Sequence, residues 1–240
     1  MYEDLVFPQK KQRPFFYTNF VSTIDGKTLV KIDPQGYWPI GSKVDHDVLV
    51  ELRAHADVLL QGKNTALFYR TLNTLAGEKF RAARRKLGKN AELPYLAMSN
   101  SPDDRLITYM DNRGGSRPLL VTTEEAVVSK ELADKVRLIR LGKGVVDVEL
   151  LAAFLHQEGF KNVLVEAGPT LLSTFLEHDL IDEIFLTLAP KIFGNNNNAT
   201  YTMAEGYLFP PNNIKQCRLL SVKQVGDEVF LRYNILDGAN

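Results

Sequence analysis

The chain lacks the features that mark an exported, membrane-spanning or nucleic-acid-binding protein. It has one cysteine, Cys217, so it cannot form an internal disulfide, and it has no run of about 18 apolar residues that could cross a bilayer. Its first residues lack the continuous apolar stretch of a signal peptide. Basic and acidic side chains number 29 each, which leaves no excess positive charge for nucleic acid. We therefore predict a cytoplasmic protein with a small-molecule partner, without a nucleic-acid or membrane partner and without a metal site.

Strands and helices alternate along most of the sequence. Apolar runs rich in β-branched and aromatic residues indicate strands, and apolar residues at 3.6-residue spacing indicate helices. The predicted strands are Phe15–Ser22, Asp57–Gln61, Leu93–Met98, Leu119–Thr122, Val136–Leu141 and Val163–Val165. The predicted helices begin at Ser42, at Asn64 or Thr65, at Glu78, at Thr122 or Thr123, at Asp147 and near Pro169. This order is typical of a mostly parallel sheet with helices on both faces.

The C-terminal part of the sequence departs from this alternation. Ile184–Leu188, Cys217–Val225 and Val229–Ile235 are predicted strands without an intervening helix, and the last two form an antiparallel hairpin. No repeat or linker-like segment interrupts the sequence, so we predict a single α/β domain over residues 1–240.

Two irregular segments and one basic helix have less definite interpretations. Thr28–Ile40 is predicted as a loop because it contains Pro34, Gly36 and Pro39, and the polar sequence between Met98 and Leu119 is rich in turn residues. The helix that begins at Glu78 carries five basic side chains, Lys79, Arg81, Arg84, Arg85 and Lys86. We favour a solvated helix face over an anion-binding patch, and both interpretations stay open.

Two strand-to-helix junctions have the composition that phosphate binding needs. Gly62–Thr65 follows one strand, and Ala167–Thr170 follows another. Glycine permits close backbone approach, the first N–H groups of a helix can bind a phosphate, and the lysine in the first junction adds positive charge. One such junction is more often only a capped helix. Two in one α/β protein favour a dinucleotide at the carboxyl edge of the sheet.

Several motifs in the same order resemble the riboflavin-biosynthesis pyrimidine reductases, the RibD C-terminal domain family of the dihydrofolate reductase-like superfamily. The motifs are Ser22–Thr28, Trp38, Leu52–Ala54, Gly62–Thr65, Val165–Leu171 and Leu188–Gly194. The resemblance covers about residues 14–236, and Val165–Leu171 is its most specific block. It implies a three-layer α/β/α sandwich with a mixed, mostly parallel sheet, and a stand-alone, homodimeric, NADPH-dependent reductase that converts the ribosylamino group of a pyrimidine ribosylamine 5′-phosphate to ribitylamino.

The same resemblance assigns roles to individual residues. Substrate contacts are expected from Asn19, from Arg53 as a ligand of the ribose phosphate, and from Glu166, which is also the predicted catalytic residue. Cofactor contacts are expected at Ser22, Trp38, Gly62, Lys63, Thr65, Ser99, Ala167, Gly168, Pro169, Thr170, Leu171 and Leu172. The candidate proton handlers are Glu166, Asp25, Asp45 and Asp47.

The sequence also departs from the family pattern on the substrate side. Paired aspartates that usually follow the first phosphate junction are absent from Thr65–Asn73, and Gly36 occupies a position where bifunctional members have a serine. Two alternatives therefore stay open. One is an NADPH-dependent reductase of another heterocycle, such as dihydrofolate or a dihydropterin, with Asp45 or Asp47 as the acid. The other is a non-catalytic NADPH-binding protein.

Overall fold

The residues described in this computed structural model form twelve β-strands and seven α-helices. They comprise residues 1–2, 4–32, 36–69, 75, 77–111, 117–195 and 199–236. The strands are β1 (Phe15–Thr23), β2 (Leu29–Ile32), β3 (Gly36–Tyr37), β4 (Val58–Gly62), β5 (Tyr95–Met98), β6 (Leu119–Thr122), β7 (Arg137–Arg140), β8 (Asn162–Glu166), β9 (Glu183–Ala189), β10 (Thr200–Tyr201), β11 (Cys217–Val225) and β12 (Glu228–Ile235). The helices are α1 (Lys43–His55), α2 (Lys63–Tyr69), α3 (Glu78–Lys86), α4 (Asp104–Asp111), α5 (Lys130–Ala133), α6 (Val148–Gln157) and α7 (Pro169–Glu177).

These elements fall into two compact units. The first comprises Met1–Glu3, Phe16–Glu51 and Ala167–Asn240, and the second comprises Asp4–Phe15 and Leu52–Glu166. The polypeptide therefore enters the second unit twice, over Asp4–Phe15 and again from within α1 to the end of β8. The single domain over residues 1–240 stays a prediction. None of the helices in the described ranges is both long and apolar enough to cross a membrane.

The main strands of the first unit are ordered β11-β12-β9-β1. β1 and β9 run parallel, with Asn19 opposite Phe185 and Ser22 opposite Leu188. β12 is antiparallel to both β9 and β11, which confirms the predicted C-terminal hairpin. Gly226 has a φ of 59° in the turn of that hairpin, a conformation in which glycine carries no steric penalty.

The second unit is built on parallel strands ordered β8-β4-β5-β6-β7. Their fully buried positions include Val58–Leu60, Leu96–Ala97 and Val163–Val165, as expected for parallel strands covered on both faces. In the pairing of β4 with β8, Gln61 lies opposite Glu166. The carboxyl ends of these two strands therefore lie side by side at one edge. The prediction of an α/β fold with mostly parallel strands is confirmed.

Helix α1 begins where the sequence predicts. The Ser42 hydroxyl oxygen accepts from the backbone N–H of Val44 at 3.0 Å, which is the bond of an N-capping serine. Val48 and Leu52 are buried on one face, four residues apart. This packing places Arg53 in the last turn of the helix.

The prediction of a loop over Thr28–Ile40 is wrong for β2 and β3, because these two segments are short strands. β2 pairs antiparallel with β3 and also with β10, where Thr200 lies opposite Val30. Residues 33–35 lie outside the described residues. The partner strand β10 is about 170 residues further along the sequence, so local sequence could not reveal the pairing.

Two helices differ from their prediction. The turn-rich segment after Met98 contains α4, which Asp103 caps by accepting from the N–H of Leu106 at 3.0 Å. The helix predicted at Thr122 or Thr123 is absent there, and α5 begins only at Lys130. Arg140 explains this difference, because its Nη1 donates to the carbonyls of residues 123, 124 and 126 and thereby stabilises a turn.

Helix α3 does not present only a solvated face. Arg84 on this helix is 1% exposed, so the solvated interpretation is wrong at that residue. Arg85 and Lys86, the next two residues, are exposed as predicted.

Asp57 joins the beginnings of β4 and β8. Its Oδ2 accepts from the N–H groups of Lys161 at 2.9 Å and Asn162 at 2.8 Å, and its Oδ1 is 2.5 Å from Lys89 Nζ. Removal of this acceptor leaves two backbone donors at the start of β8 without their charged partner. We predict that Asp57→Ala lowers the free energy of unfolding by about 2–3 kcal/mol.

Urea unfolding measures this loss. Glu124→Ala removes an exposed carboxylate in the same unit and is the matched control, with an expected change below about 0.5 kcal/mol. Equal losses in the two variants would contradict the role of Asp57.

Candidate active site

Glu166 and Arg53 form a buried, two-point ion pair in the second unit. Glu166 is the last residue of β8, and Arg53 comes from the last turn of α1. Arg53 Nε donates to Glu166 Oε1 at 2.5 Å, and Arg53 Nη2 donates to Oε2 at 2.8 Å. The side chains are 5% and 10% exposed. A planar guanidinium matches a carboxylate in this way, and the charge-assisted bonds offset part of the cost of burying both ions.

Gln61 and Tyr95 extend this pair, and neither was identified from the sequence. Gln61 Nε2 donates to Glu166 Oε2 at 2.8 Å, and the Tyr95 hydroxyl donates to Gln61 Oε1 at 2.9 Å. Both side chains are almost fully buried. The bond from Tyr95 orients the Gln61 amide so that its N–H group points at the carboxylate. A glutamine near the end of an otherwise apolar strand is the signal that could have revealed this contact.

The three donors around Glu166 define what its carboxylate can do. Arg53 and Gln61 only donate to it, so both oxygens act as acceptors. An ionised carboxylate has about four lone-pair positions, which leaves capacity for a further N–H donor from a ligand. These surroundings suit Glu166 to binding and orienting an N–H group, and its role as the catalytic residue stays a prediction.

Arg53 contacts Glu166 in the structure, whereas the family resemblance implies that it binds a ribose phosphate. Arg53 commits Nε and Nη2 to the carboxylate and is almost fully buried. Its role as a phosphate ligand stays a prediction.

The residues of the first phosphate junction lie at the ends of β4 and β5. Lys63 Nζ lies 2.9 Å from Asp103 Oδ2 and donates to the Ser101 carbonyl at 2.9 Å. The hydrogen bond from Lys63 holds the pKa of Asp103 well below its usual range. Ser99 Oγ accepts from the N–H of Ser101 at 3.2 Å. A phosphate at Lys63 would therefore compete with Asp103, and the cofactor roles of Gly62, Lys63, Thr65 and Ser99 stay predictions.

Asn19, Ser22 and Trp38 belong to the first unit. Ser22 is buried, and its hydroxyl donates to the Thr23 carbonyl at 2.9 Å. Among the described residues, no hydrogen-bond partner reaches the buried Oδ1 of Asn19. Trp38 is 50% exposed and meets the ring of Phe193 edge-on at 6.1 Å. Trp38 thus presents an aromatic surface, and Asn19 offers an acceptor.

The second phosphate junction leads into α7, also in the first unit. Gly168 is the N-cap residue, and none of the described side chains caps the helix there. Pro169 takes the first helical position, where its missing N–H costs nothing. Thr170 is exposed, whereas Ala167 and Leu172 are buried and fix this end of the helix. An uncapped helix start with an exposed hydroxyl is chemically suited to a phosphate group.

Asp45 on α1 is a buried carboxyl group in the first unit. Burial raises its pKa, a hydrogen bond from Thr187 opposes that rise, and the charge of Glu228 adds to it. Its Oδ1 is buried without a partner among the described residues, and a Cβ on Gly41 would lie 2.0 Å from its Oδ2. Asp45 is therefore packed tightly and disfavours its charged form.

The other two aspartates named as proton handlers have different surroundings. Asp47 is exposed, and Lys43 Nζ lies 2.6 Å from its Oδ2. The Thr23 hydroxyl donates to Asp25 Oδ1 at 2.5 Å, and the N–H of Gly194 donates to Oδ2 at 2.8 Å. The bond from Thr23 lowers the pKa of Asp25. Asp25 thus holds a turn, and Asp45 is the aspartate best suited to keep a proton.

Comparison with known proteins shows correspondence along nearly the whole sequence. A family model described as the RibD C-terminal domain matches residues 14–231. A relative from Archaeoglobus fulgidus, named 2,5-diamino-6-ribosylamino-4(3H)-pyrimidinone 5′-phosphate reductase, is 26% identical over 226 residues, which cover 92% of this chain and 99% of the relative. A relative of the same name from Methanothermobacter thermautotrophicus is 25% identical, and the match covers 93% of this chain and 99% of the relative.

Solved structures resemble the protein in fold. A pyrimidine reductase-like protein from Corynebacterium diphtheriae is 21% identical with a TM-score of 0.68, and the match covers 93% of this chain and 92% of that protein. RibD from Acinetobacter baumannii is 20% identical with a TM-score of 0.73, and the match covers 94% of this chain and 59% of that protein. At these identities the likeness concerns the fold alone.

The ion pair predicts a coupled effect on stability. Arg53→Met leaves the Glu166 carboxylate buried with a neutral donor, Gln61, and should lower the free energy of unfolding by about 3–5 kcal/mol. The double variant Arg53→Met with Glu166→Gln should be more stable than Arg53→Met alone, because it no longer buries an unpaired charge. Urea unfolding of the single and double variants measures the coupling, and strictly additive losses would contradict it.

The raised pKa of Asp45 predicts a pH-dependent stability difference. The folded state binds the Asp45 proton more tightly than the unfolded state, so its contribution to stability is present at low pH and is lost as the pH rises through the folded pKa. Asp45→Asn removes the ionisable group and with it this pH-dependent loss of stability, so the variant should have a higher Tm than the unsubstituted protein at pH ~8. The difference in Tm should disappear below the ordinary aspartate pKa of about 3.9. Thermal unfolding at both pH values measures the difference, and a gain that does not change with pH would contradict the account.

Proposed function

Because the chain belongs to the RibD C-terminal domain family, we propose that it is an NADPH-dependent oxidoreductase that converts the ribosylamino group of a pyrimidine ribosylamine 5′-phosphate into a ribitylamino group. The observation that carries this proposal is the match to stand-alone relatives named as reductases of such a phosphate, which covers 92% of this chain and 99% of the Archaeoglobus fulgidus relative. The proposed place of this reaction is riboflavin biosynthesis.

The reaction needs a held substrate, a hydride and a proton. Opening of the sugar ring breaks the C–O bond at the anomeric carbon, moves the N–H proton to the ring oxygen, which becomes a hydroxyl, and leaves an imine between that carbon and the pyrimidine's amino nitrogen. Addition of hydride to that carbon and of a proton to the nitrogen then gives the ribitylamino product. NADPH, when bound, supplies the hydride. The protein's own groups hold both reactants and manage the proton.

We assign substrate binding to Glu166, Asn19 and Arg53. Glu166 has acceptor capacity beyond its three donors and would take an N–H group of the aminopyrimidine. Asn19 has a buried Oδ1 without a partner among the described residues, which suits a second donor of the substrate. In this proposal the positive charge of Arg53 attracts the substrate phosphate, and its two hydrogen bonds orient the Glu166 carboxylate.

The start of α7 fits a nicotinamide dinucleotide in chemical terms. The Thr170 hydroxyl and the N–H groups at the start of the helix that none of the described side chains caps are the proposed donors to the pyrophosphate. The pyrophosphate would lie against Ala167, Gly168, Pro169, Leu171 and Leu172. Ser22 and Trp38 are the proposed contacts on the nicotinamide side. The proposed contacts with the remaining phosphate and the adenosine are Gly62, Lys63, Thr65 and Ser99. Lys63 would give up its ion pair with Asp103 and bind the phosphate in its place.

Asp45 supports a second candidate function, the reduction of another heterocycle such as dihydrofolate or a dihydropterin. Protonation of a ring nitrogen requires a carboxyl group that keeps its proton near neutral pH, and burial raises the pKa of Asp45 in that direction. In the leading proposal the same group would supply the proton to the imine nitrogen. Substrate choice therefore separates the two functions.

The proposal includes a cytoplasmic homodimer. A single cysteine is compatible with a reducing compartment. β11 lies at the edge of its sheet and exposes Leu219, Leu220, Val222 and Val225 by 43–54%. An exposed, apolar edge strand is a template for pairing with a second copy of the protein. The mass of the purified protein in solution tests this part of the proposal.

Two measurements on the purified protein test the proposed function. Titration with NADPH, followed by the fluorescence of the cofactor, should show saturable binding. The absorbance of NADPH should then fall when 5-amino-6-(5-phosphoribosylamino)uracil or its 2,5-diamino precursor is added. It should not fall when dihydrofolate is added. Turnover of dihydrofolate alone would favour the second candidate, and cofactor binding without turnover would leave a non-catalytic binding protein.

Thr170 gives a prediction specific to the cofactor. Thr170→Val removes one hydroxyl at the start of α7, and the loss of one hydrogen bond should weaken NADPH binding by about 1 kcal/mol, or about fivefold. Fluorescence titration measures the dissociation constant. Thr108→Val, at an exposed position on α4, is the matched control and should leave the constant unchanged. Unaltered binding in the Thr170 variant would contradict the placement of the pyrophosphate.

A further inference from the structure

Arg84 is a buried cation that the proposed reaction does not use directly. It is 1% exposed and is among the largest fully buried side chains of the described residues. Its helix, α3, carries other basic residues, of which Arg85 and Lys86 are exposed. A guanidinium is almost never fully buried unless its donors are satisfied, so its partners indicate its purpose.

The partners of Arg84 are backbone carbonyls of two segments. Nη1 donates to the carbonyls of Ala56 at 2.7 Å, Ala54 at 3.2 Å and Arg53 at 3.5 Å. Nε donates to the carbonyl of Asn90 at 2.7 Å, and Nη2 donates to that of Glu92 at 3.4 Å. Arg84 thus ties the C-terminal end of α1 to the segment that precedes β5.

The first set of contacts closes a helix terminus. The last carbonyls of an α-helix have no partner within the helix, and a cation at that end also interacts favourably with the helix dipole. α1 ends at His55, so the carbonyls that Arg84 reaches are those of its final turn and of the residue that follows. The Arg84 guanidinium therefore caps the C-terminus of α1.

The capped turn is the one that carries Arg53. Arg84 holds the main chain of Arg53, and the side chain of Arg53 holds both oxygens of Glu166. All three residues belong to the second unit. A change in the last turn of α1 would move the Arg53 guanidinium and, with it, the direction in which Glu166 presents its acceptor.

We propose that Arg84 is a positioning residue for substrate binding, which acts by fixing the last turn of α1 and hence the Arg53–Glu166 pair. It does not touch the substrate. The proposal rests on the proposed function, because substrate kinetics are its readout. A purely structural helix cap would lower stability in every variant background but would not act through Arg53, and this difference makes the two roles separable.

A double-mutant cycle between Arg84 and Arg53 tests the proposal. The variants are Arg84→Met, Arg53→Lys and the double variant, assayed with the phosphorylated pyrimidine substrate and NADPH at a temperature where each is folded. Arg84→Met should lower kcat/KM by about tenfold to hundredfold, mainly through KM, because the binding group is displaced rather than removed. NADPH affinity should stay within about twofold of the unsubstituted protein.

The decisive comparison is between the effect of Arg84→Met on kcat/KM in the unsubstituted protein and its effect in the Arg53→Lys variant. There the two-point pairing with Glu166 is already lost, so Arg84→Met should have little further effect on kcat/KM. Arg84→Lys keeps a cation at the same carbonyls and should recover part of the loss in kcat/KM. If Arg84→Met does not fold, Arg84→Lys replaces it in both backgrounds, with a smaller expected effect. Arg85→Met removes the neighbouring exposed cation, which pairs with Glu78, and is the matched control with unchanged kinetics.

The outcomes separate the proposal from the function on which it rests. An effect of Arg84→Met that is equally large in both backgrounds, or a loss that only follows the folded fraction, would overturn the positioning role. A protein without turnover of either phosphorylated pyrimidine would overturn the proposed function and this assignment with it. Non-additive effects with unchanged cofactor affinity would support both.

Discussion

A carboxylate buried at the end of a strand sets the main constraint on the second unit. Glu166 is the last residue of β8 and is one-tenth exposed, so its charge has to be satisfied by the protein. Arg53 satisfies it with two donors and Gln61 with a third, at 2.5 to 2.8 Å. These bonds fix the relation of β8 to β4 and to the last turn of α1. Removal of any one partner would leave an uncompensated polar group in the interior, which is why a polar cluster of this kind is sensitive to its whole surroundings.

The same constraint explains features that are distant from Glu166 in sequence. Tyr95 orients the Gln61 amide, and Arg84 holds the carbonyls at the end of α1. Asp45 in the first unit is the opposite case to Glu166. Burial has the largest effect on its carboxyl group and raises its pKa. The protein thus holds one carboxylate surrounded by donors, suited to accepting a hydrogen bond, and one carboxyl group whose pKa is raised by burial. A reductase that binds an aminopyrimidine and protonates a nitrogen needs both kinds of group.

Local patterns predicted most of the elements, and contacts distant in sequence account for the misses. Continuous apolar runs and capping residues located β4, β8, α1, α6 and the C-terminal hairpin, because those signals are local. β2 escaped prediction because its partner β10 lies far along the sequence, and β3 is a two-residue strand that pairs with β2. α4 could have been found, since Asp103 caps it and Leu106, Ile107 and Met110 follow at helical spacing. The sequence points to Glu166 and Arg53 separately, and their roles in the site stay predictions, whereas their contact with each other and with Gln61, Tyr95 and Arg84 is evident only when the elements are packed together.

In the proposed reaction, the anomeric carbon of a pyrimidine ribosylamine phosphate takes up hydride from NADPH. Transfer of an isotope label from the cofactor to the product measures this step. The protein is incubated with the phosphorylated substrate and NADPH that carries deuterium at the transferable position of the nicotinamide, and the product is characterised by mass spectrometry and NMR. We expect a ribitylamino product with one deuterium on the carbon bonded to the nitrogen. A product without deuterium at that carbon, or deuterium transfer to a pterin and not to the pyrimidine substrate, would contradict the proposed reaction.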